Sequence, residues 1–177
     1  MIKIRSLSRA DAPAYCALRL RMLRECPEAF TSSFEEDSVK PMSWTEARLS
    51  APPQSPHNFV LGAFAGETLI GSVGLAVEDR IKQRHKALLF GMFVAPEAAG
   101  HGVGRNLLAA CVERARGIPD LELVNLTVTT TNERTYGFYA AAGFRTFGIE
   151  ENAIRVGGVY HAKAHMVLTL HPAQGAI

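Results

Sequence analysis

The sequence predicts an α/β fold in which parallel strands are joined through a helix. Beyond Pro96 the apolar period changes from strand to helix: Val103, Leu107, Leu108, Cys111, Val112 and Ala115 recur at helical spacing, and Gly117 with Pro119 supplies the stop. On either side, "KALLFGMFV" and "LELVNLTVTT" read as strands. Strand, helix and strand within about thirty-five residues make a right-handed crossover between parallel neighbours, which sets the helix N-terminus at the C-terminal edge of the first strand.

The other elements follow in chain order. Residues 2–7 alternate as a strand, Ser8 to Asp11 caps a helix carrying Leu18, Met22 and Leu23, and Pro27 stops it. Pro27 to Pro41 reads as polar and irregular apart from Phe30 and Phe34. A second helix is expected after Ser43, with Trp44, Ala47 and Leu49, ending before "APPQSP". "NFVLGAFAGETLIGSVGLAVE" is two strands joined by a tight turn at Gly66 and Glu67, and a third strand runs from Lys86 to Val94. After the crossover, Asn132 caps a short helix through Ala142 and Gly143 ends it in the left-handed conformation. From Phe144 the chain returns to strands ending at "HMVLTL".

Composition limits the function classes. The 177 residues are read as a single domain, long enough to bury roughly 68–70% of its unfolded surface without a metal or disulfide. Apolar residues make up 47% and charged ones 20%, ordinary for a soluble globular protein. A net charge of +2 with scattered basic residues argues against nucleic acid as a partner, and the cluster Arg80, Lys82, Arg84, Lys86 reads as a solvated hairpin turn, with an anion contact as the alternative. Cys16, Cys26 and Cys111 are odd in number and far apart, which suits a reducing cytoplasm rather than a disulfide framework. No signal peptide or membrane-length span is seen, so a cytoplasmic location away from the membrane is expected. His161 and His165 lie four apart without a third ligand, so no metal site is expected.

The run "MFVAPEAAGHGVGRNLL" raises the question of a ligand, because a strand ends there in a glycine-lined turn that opens a helix. The first turn of a helix has N–H groups without intrahelical partners and the positive end of the dipole, so a phosphate sits well there. A P-loop would need a lysine followed by Ser or Thr, and Arg105-Asn106 follows Gly104 instead. A dinucleotide-binding turn would need an acidic residue closing the next strand, which ends in "TVTTT".

Two separated motifs, in the right order and spacing, resemble the GNAT superfamily of N-acetyltransferases, which use acetyl-coenzyme A. "FVAPEAAGHGVGRNLL" is similar to the family's pyrophosphate loop, R/Q-x-x-G-x-G/A, with Gly102 and Gly104 matching. "NERTYGFYAAAGF", Asn132 to Phe144, is similar to the family's closing helix. The resemblance implies a central mixed, twisted sheet of about seven strands, flanked by about four helices, with a splayed parallel pair in the middle. It places the coenzyme-binding core at about 86–144 and the acceptor side at about 8–56 and 150–168.

The resemblance also implies residue roles. Met92, Phe93 and Val94 would pair their backbone with the pantetheine arm, and the amides around Gly100, His101, Gly102, Val103, Gly104 and Arg105 would hold the pyrophosphate. Ala99 stands where the family usually has Arg or Gln, a loss that Arg105 would offset in part. Tyr139 matches the tyrosine that gives a proton to the departing thiolate, and Tyr136 is read as packing. Asn132 either contacts the coenzyme or caps its helix. A backbone amide near Val94 would stabilise the oxyanion.

The general base is not legible, because the central strand "KALLFGMFV" carries no carboxylate. Glu78, His85, Glu150, His161 and a water wire all stay open. The expected acceptor is a primary amine on a small molecule or peptide, lying against "CPEAFTSSFEED" and "GGVYHAKAH", with Phe30 and Tyr160 as an apolar wall. Glu28, Glu35, Glu36 and Asp37 either favour a cationic acceptor or form an exposed acidic loop. A non-catalytic acyl-coenzyme A binding or sensing module is the alternative to an enzyme, and a homodimer is left open.

Overall fold

Residues 2–51 and 55–171 are described by a computed structural model. Its seven strands, β1 (Ile2–Ser6), β2 (Phe59–Ala65), β3 (Thr68–Val77), β4 (Lys86–Val94), β5 (Leu123–Thr129), β6 (Arg145–Val156) and β7 (Val159–Thr169), build one sheet. The order is β1-β2-β3-β4-β5-β7-β6, and only β4 and β5 run parallel. The seven strands and the central parallel pair agree with the fold expected from the sequence. The β2–β3 hairpin turns at Gly66 and Glu67, as its sequence requires.

Five helices are present, one more than the sequence suggests: α1 (Ala12–Glu25), α2 (Phe34–Ser38), α3 (Met42–Leu49), α4 (Val103–Arg116) and α5 (Glu133–Ala141). The addition is α2, inside the stretch read as irregular. Its first turn closes as a capping box, with Glu36 N donating to Ser33 Oγ at 3.2 Å and Ser33 N donating to Glu36 Oε2 at 3.2 Å. The Ser-x-x-Glu spacing was therefore a readable start signal. Of "APPQSP", residues 52–54 lie outside the described residues. Among the described residues no helix is long and apolar enough to cross a membrane.

Alternation along the central strands feeds two cores, one on each face of the sheet. Phe59, Leu61 and Ala63 of β2 join the α4 residues Val103, Leu107, Leu108 and Cys111, whereas Val60 and Phe64 join Tyr15, Leu18, Met22 and Leu23 of α1. The sheet is thus covered on both sides. Arg19 interrupts the α1 stripe at a buried position, next to Leu18 and four residues after Tyr15.

Strand β4 changes phase halfway along. Ala87 and Leu89 face the α4 core, Phe90 and Phe93 the α1 core, and Met92 and Val94 the α4 core again. A β-bulge causes this: Ser72 pairs with Phe93 but Gly74 pairs with Phe90, so three steps on β4 oppose two on β3. Gly91 takes φ of 59° there, and its carbonyl accepts a 3.1 Å hydrogen bond from Ser72 Oγ. Bulges bend the strand that carries them. Accordingly β4 pairs with β5 only through Lys86, Ala87 and Leu88, and beyond them the two strands separate.

A Cβ at Gly91 would meet only Tyr15 Oη, at 3.8 Å, so the position is glycine for its backbone rather than for space. Gly91→Ala is expected to lower stability by about 1–2 kcal/mol through the left-handed strain alone. Urea unfolding checks this as a lower midpoint at an unchanged slope.

Candidate active site

The turn after β4 leads the chain into α4. Ala95 N donates to Ile70 O at 2.8 Å, which ends the strand against β3, and a 3-10 turn at Pro96–Ala98 follows. Gly100 and Gly102 then take φ of 81° and 76°. Gly102 is the N-cap of α4 and offers no side-chain cap, so the amides of Val103, Gly104 and Arg105 keep the free donors of a helix start. Nothing lies within 4 Å of a Cβ built at Gly100 or Gly102, so the space above these amides is open. The turn is a concave set of backbone donors at the positive end of a 14-residue helix.

A cleft of about 1060 Å³ opens where β4 leaves β5. Leu89 to Val94 form one wall and Leu126 to Thr129 the other, with Phe138 and Tyr139 of α5 beside them. Because Ala95 N–H is turned to β3, the preceding amide of Val94 points to the opposite edge of the strand, into the cleft. The exposed edge of β4 can pair with an extended ligand as a missing strand would.

Helix α5 sets two residues on this cleft. Asn132 is its N-cap, with Oδ1 accepting from Thr135 N at 3.1 Å, and its side chain also lines the cleft. Tyr139 is 5% exposed, packed edge-on against Phe144 with ring centroids 5.7 Å apart. Among the described residues its hydroxyl has no hydrogen-bond partner. Burial raises the phenol well above its ordinary pKa, and Cys111 adds to the rise. Cys111 itself is wholly buried and pushed up to about 12, an inert core thiol. Tyr136 lies outside the cleft and shares a 2.9 Å hydrogen bond with Thr146 Oγ1.

The loop after α1 closes the cleft on the other face of the sheet. Thr129 Oγ1 donates to Glu28 O at 2.6 Å and Lys163 Nζ donates to Thr31 Oγ1 at 2.8 Å, tying the loop to β5 and β7. Of the residues expected from the sequence, Met92, Phe93, Val94, Gly100, Gly102, Val103, Gly104, Arg105, Asn132, Tyr139 and Phe30 line one cleft. His101 and Tyr160 do not; Tyr160 is 58% exposed on the β6–β7 hairpin, under the guanidinium of Arg155. None of Glu78, His85, Glu150 and His161 lines the cleft either. Glu150 Oε2 lies 2.9 Å from His165 Nε2, and Glu78 and His85 sit at the far end of β4.

Four cations on the cleft were not foreseen: Arg19, Arg48, Arg134 and Lys163. For Arg19 the signal was its place within an apolar helical stripe. Lys163 likewise stands in a strand whose following residues are nearly all buried. Of the loop's acidic residues, read either as favouring a cationic acceptor or as an exposed acidic surface, none of Glu28, Glu35, Glu36 and Asp37 lines the cleft.

Comparison with known proteins follows the same lines. The family model for the acetyltransferase (GNAT) family matches residues 20–144. The N-alpha-acetyltransferase RimI of Mycobacterium tuberculosis is 30% identical over 158 residues, covering 89% of this chain and 87% of that protein. Among solved structures, a GNAT-family acetyltransferase from Streptococcus pneumoniae superposes with a TM-score of 0.86 at 22% identity, over 96% of this chain and 99% of the other. The yncA protein of Salmonella typhimurium, in a structure with its cofactor acetyl-CoA, gives a TM-score of 0.78 at 19% identity, over 100% and 99% of the two chains.

A Cβ at Gly104 would sit 3.5 Å from Met92 Cε and 3.6 Å from Val94 Cγ2, ordinary contacts that the fold accepts. Gly104→Val is therefore expected to fold while filling the space in front of the helix amides. Titration calorimetry with coenzyme A should show affinity reduced by more than about tenfold, or 1.4 kcal/mol, and a folded variant with wild-type affinity would move the phosphate site elsewhere.

Proposed function

The chain belongs to the acetyltransferase (GNAT) family, and on that premise we propose that it moves an acetyl group from acetyl-coenzyme A to a primary amine of a small molecule or peptide, with Tyr139 as general acid. Membership decides the enzyme against the binding-only alternative: the protein is an acyltransferase whose donor is acetyl-coenzyme A. The donor supplies an acetyl thioester with a thiolate as leaving group.

The residues present fit that donor. Amides of Val103, Gly104 and Arg105 would receive the pyrophosphate, with Arg105 and Arg134 at the rim adding positive charge where Ala99 adds none. The free edge of Met92 to Val94 would align the pantetheine arm, and Val94 N–H would face the acetyl oxygen. The acceptor amine, neutral, attacks the acetyl carbon; the N–C bond forms, the C–S bond breaks, and the Tyr139 hydroxyl gives its proton to the sulfur. The proton lost by the amine leaves through water and in turn restores the phenol. Among the described residues no carboxylate or histidine lines the cleft to act as base, which favours the water route.

The observation that carries this reading is that the hydroxyl of buried Tyr139 has no partner among the described residues and lies on the cleft where β4 and β5 part. Burial keeps that phenol protonated over the range in which amines are neutral, as a proton donor must be. Tyr139→Phe keeps the ring packed against Phe144 and is expected to lower single-turnover rates about 10²–10⁴-fold with coenzyme affinity unchanged. Tyr136→Phe is the control. A wild-type rate in Tyr139→Phe with an impaired Tyr136→Phe would assign the acid to the other tyrosine.

A further inference from the structure

Every charged side chain lining the cleft among the described residues is cationic: Arg19, Arg48, Arg105, Arg134 and Lys163. Arg105 and Arg134 stand at the starts of α4 and α5, where the coenzyme phosphates are expected. The other three lie on the α1 face and form one arc. Lys163 Nζ donates to Thr31 Oγ1, the next residue's Ser32 Oγ accepts from Arg19 at 3.2 Å, and the guanidinium carbons of Arg19 and Arg48 lie 5.6 and 5.4 Å from the Trp44 ring centre.

This arc is short of negative charge. Among the described residues Asp37 is its single bound carboxylate, held between Arg19 and Lys40. Burial opposes the charge of Asp37, but hydrogen bonds from Lys40 and Arg19 outweigh it and keep the carboxyl below its usual range, so it is committed to those partners. Arg48 rests on Tyr15 Oη and the faces of Phe90 and Trp44, and it makes no ion pair among the described residues. Lys163, 5% exposed, makes none either, because its cross-strand neighbour Glu150 turns its carboxylate to His165. Burial lowers the ammonium of Lys163, with only partial compensation from Glu150. Buried cations are ordinarily paired, and a cleft that holds buried Lys163 and half-buried Arg48 without carboxylate partners among the described residues is completed by an anion from its ligand.

We propose that the acceptor is a small primary amine carrying a compact anionic group, a carboxylate or a phosphonate, which Lys163, Arg48 and Arg19 receive. The proposal rests on the acyl-transfer reading above. The group is compact because Lys163 and Arg19 are only 5% and 8% exposed, within reach of a terminal acid but not of a bulky chain. The same cations serve the chemistry, since positive charge beside an amine favours its neutral, nucleophilic form.

The test compares kcat/KM for matched probes, free amino acids against their amides and an aminoalkylphosphonate as the second anion source. Calorimetry of N-acetyl amino acids on the coenzyme A-saturated protein runs alongside. Anionic amines are expected to exceed neutral ones by about 10–100-fold, the worth of a charge-assisted hydrogen bond or two. The carboxylate-to-phosphonate ratio tells the sources apart. Lys163→Met and Arg48→Met should each pull the acid-to-amide ratio toward one, and Lys163→Arg should restore most of it, with coenzyme affinity constant throughout. Amides or peptide N-termini used as well as free acids, or a preference that survives in Arg48→Met/Lys163→Met, overturns the proposal and leaves acyl transfer standing. Lys163-dependent binding of N-acetyl amino acids without turnover of any amine supports the anion site and overturns the transfer reading. Neither turnover nor binding overturns both.

Discussion

The separation of β4 from β5 is the constraint on which the rest of the molecule depends. Two parallel strands joined by a crossover would normally pair along their length, and these pair over three residues before parting. The bulge at Gly91 turns β4 aside, and the buried Ser72 hydroxyl stabilises it by donating to the Gly91 carbonyl. Without it, the Val94 amide would have a strand partner and the cleft would not exist. The bulge also resets the side-chain phase, so that Met92 and Val94 pack toward α4 and Phe90 and Phe93 toward α1. One extra residue therefore shapes both halves of the site.

Those halves have different physics. On the α4 face the proposed recognition elements are backbone amides and a helix dipole, which need only that no side chain intrude. On the α1 face they are long cationic side chains held in place by aromatic rings and hydroxyls: Arg48 over Phe90 at 4.5 Å, Lys163 on Thr31. Backbone recognition suits a donor that never changes, while side-chain recognition can be altered one residue at a time. The division puts donor fidelity in the fold and acceptor choice in a few replaceable positions.

The sequence made the coenzyme half legible and the acceptor half largely illegible, for physical reasons. Backbone recognition leaves glycines at fixed spacing, and Gly100, Gly102 and Gly104 were readable along with the Asn132 cap and the tyrosine of α5. The arc of Arg19, Arg48 and Lys163 draws on α1, α3 and β7, which no local spacing connects. Nor did local spacing decide between the two readings of the acidic residues: Asp37 is bound to Arg19 and Lys40, and Glu36 to its own helix cap. The bulge lay between. A lone glycine inside a strand pattern is a known signal for one, and Gly91, read as an ordinary strand residue, left the cause of the expected splay unread.

Tyr139 shows how the two halves meet. Its ring is fixed from below by Phe144 and by the core around Cys111, both on the α4 side, so its position follows from packing that has nothing to do with the acceptor. Its hydroxyl, in contrast, has no partner among the described residues and is left to the cleft. A phenol raised by burial is a poor acid toward water but a sufficient one toward a thiolate forming in the same low-dielectric space, because burial destabilises that anion as well. In the proposed mechanism the proton therefore moves only when charge appears on the sulfur, after an amine has attacked from the α1 face. On that proposal, burial of one tyrosine couples proton delivery to acceptor attack.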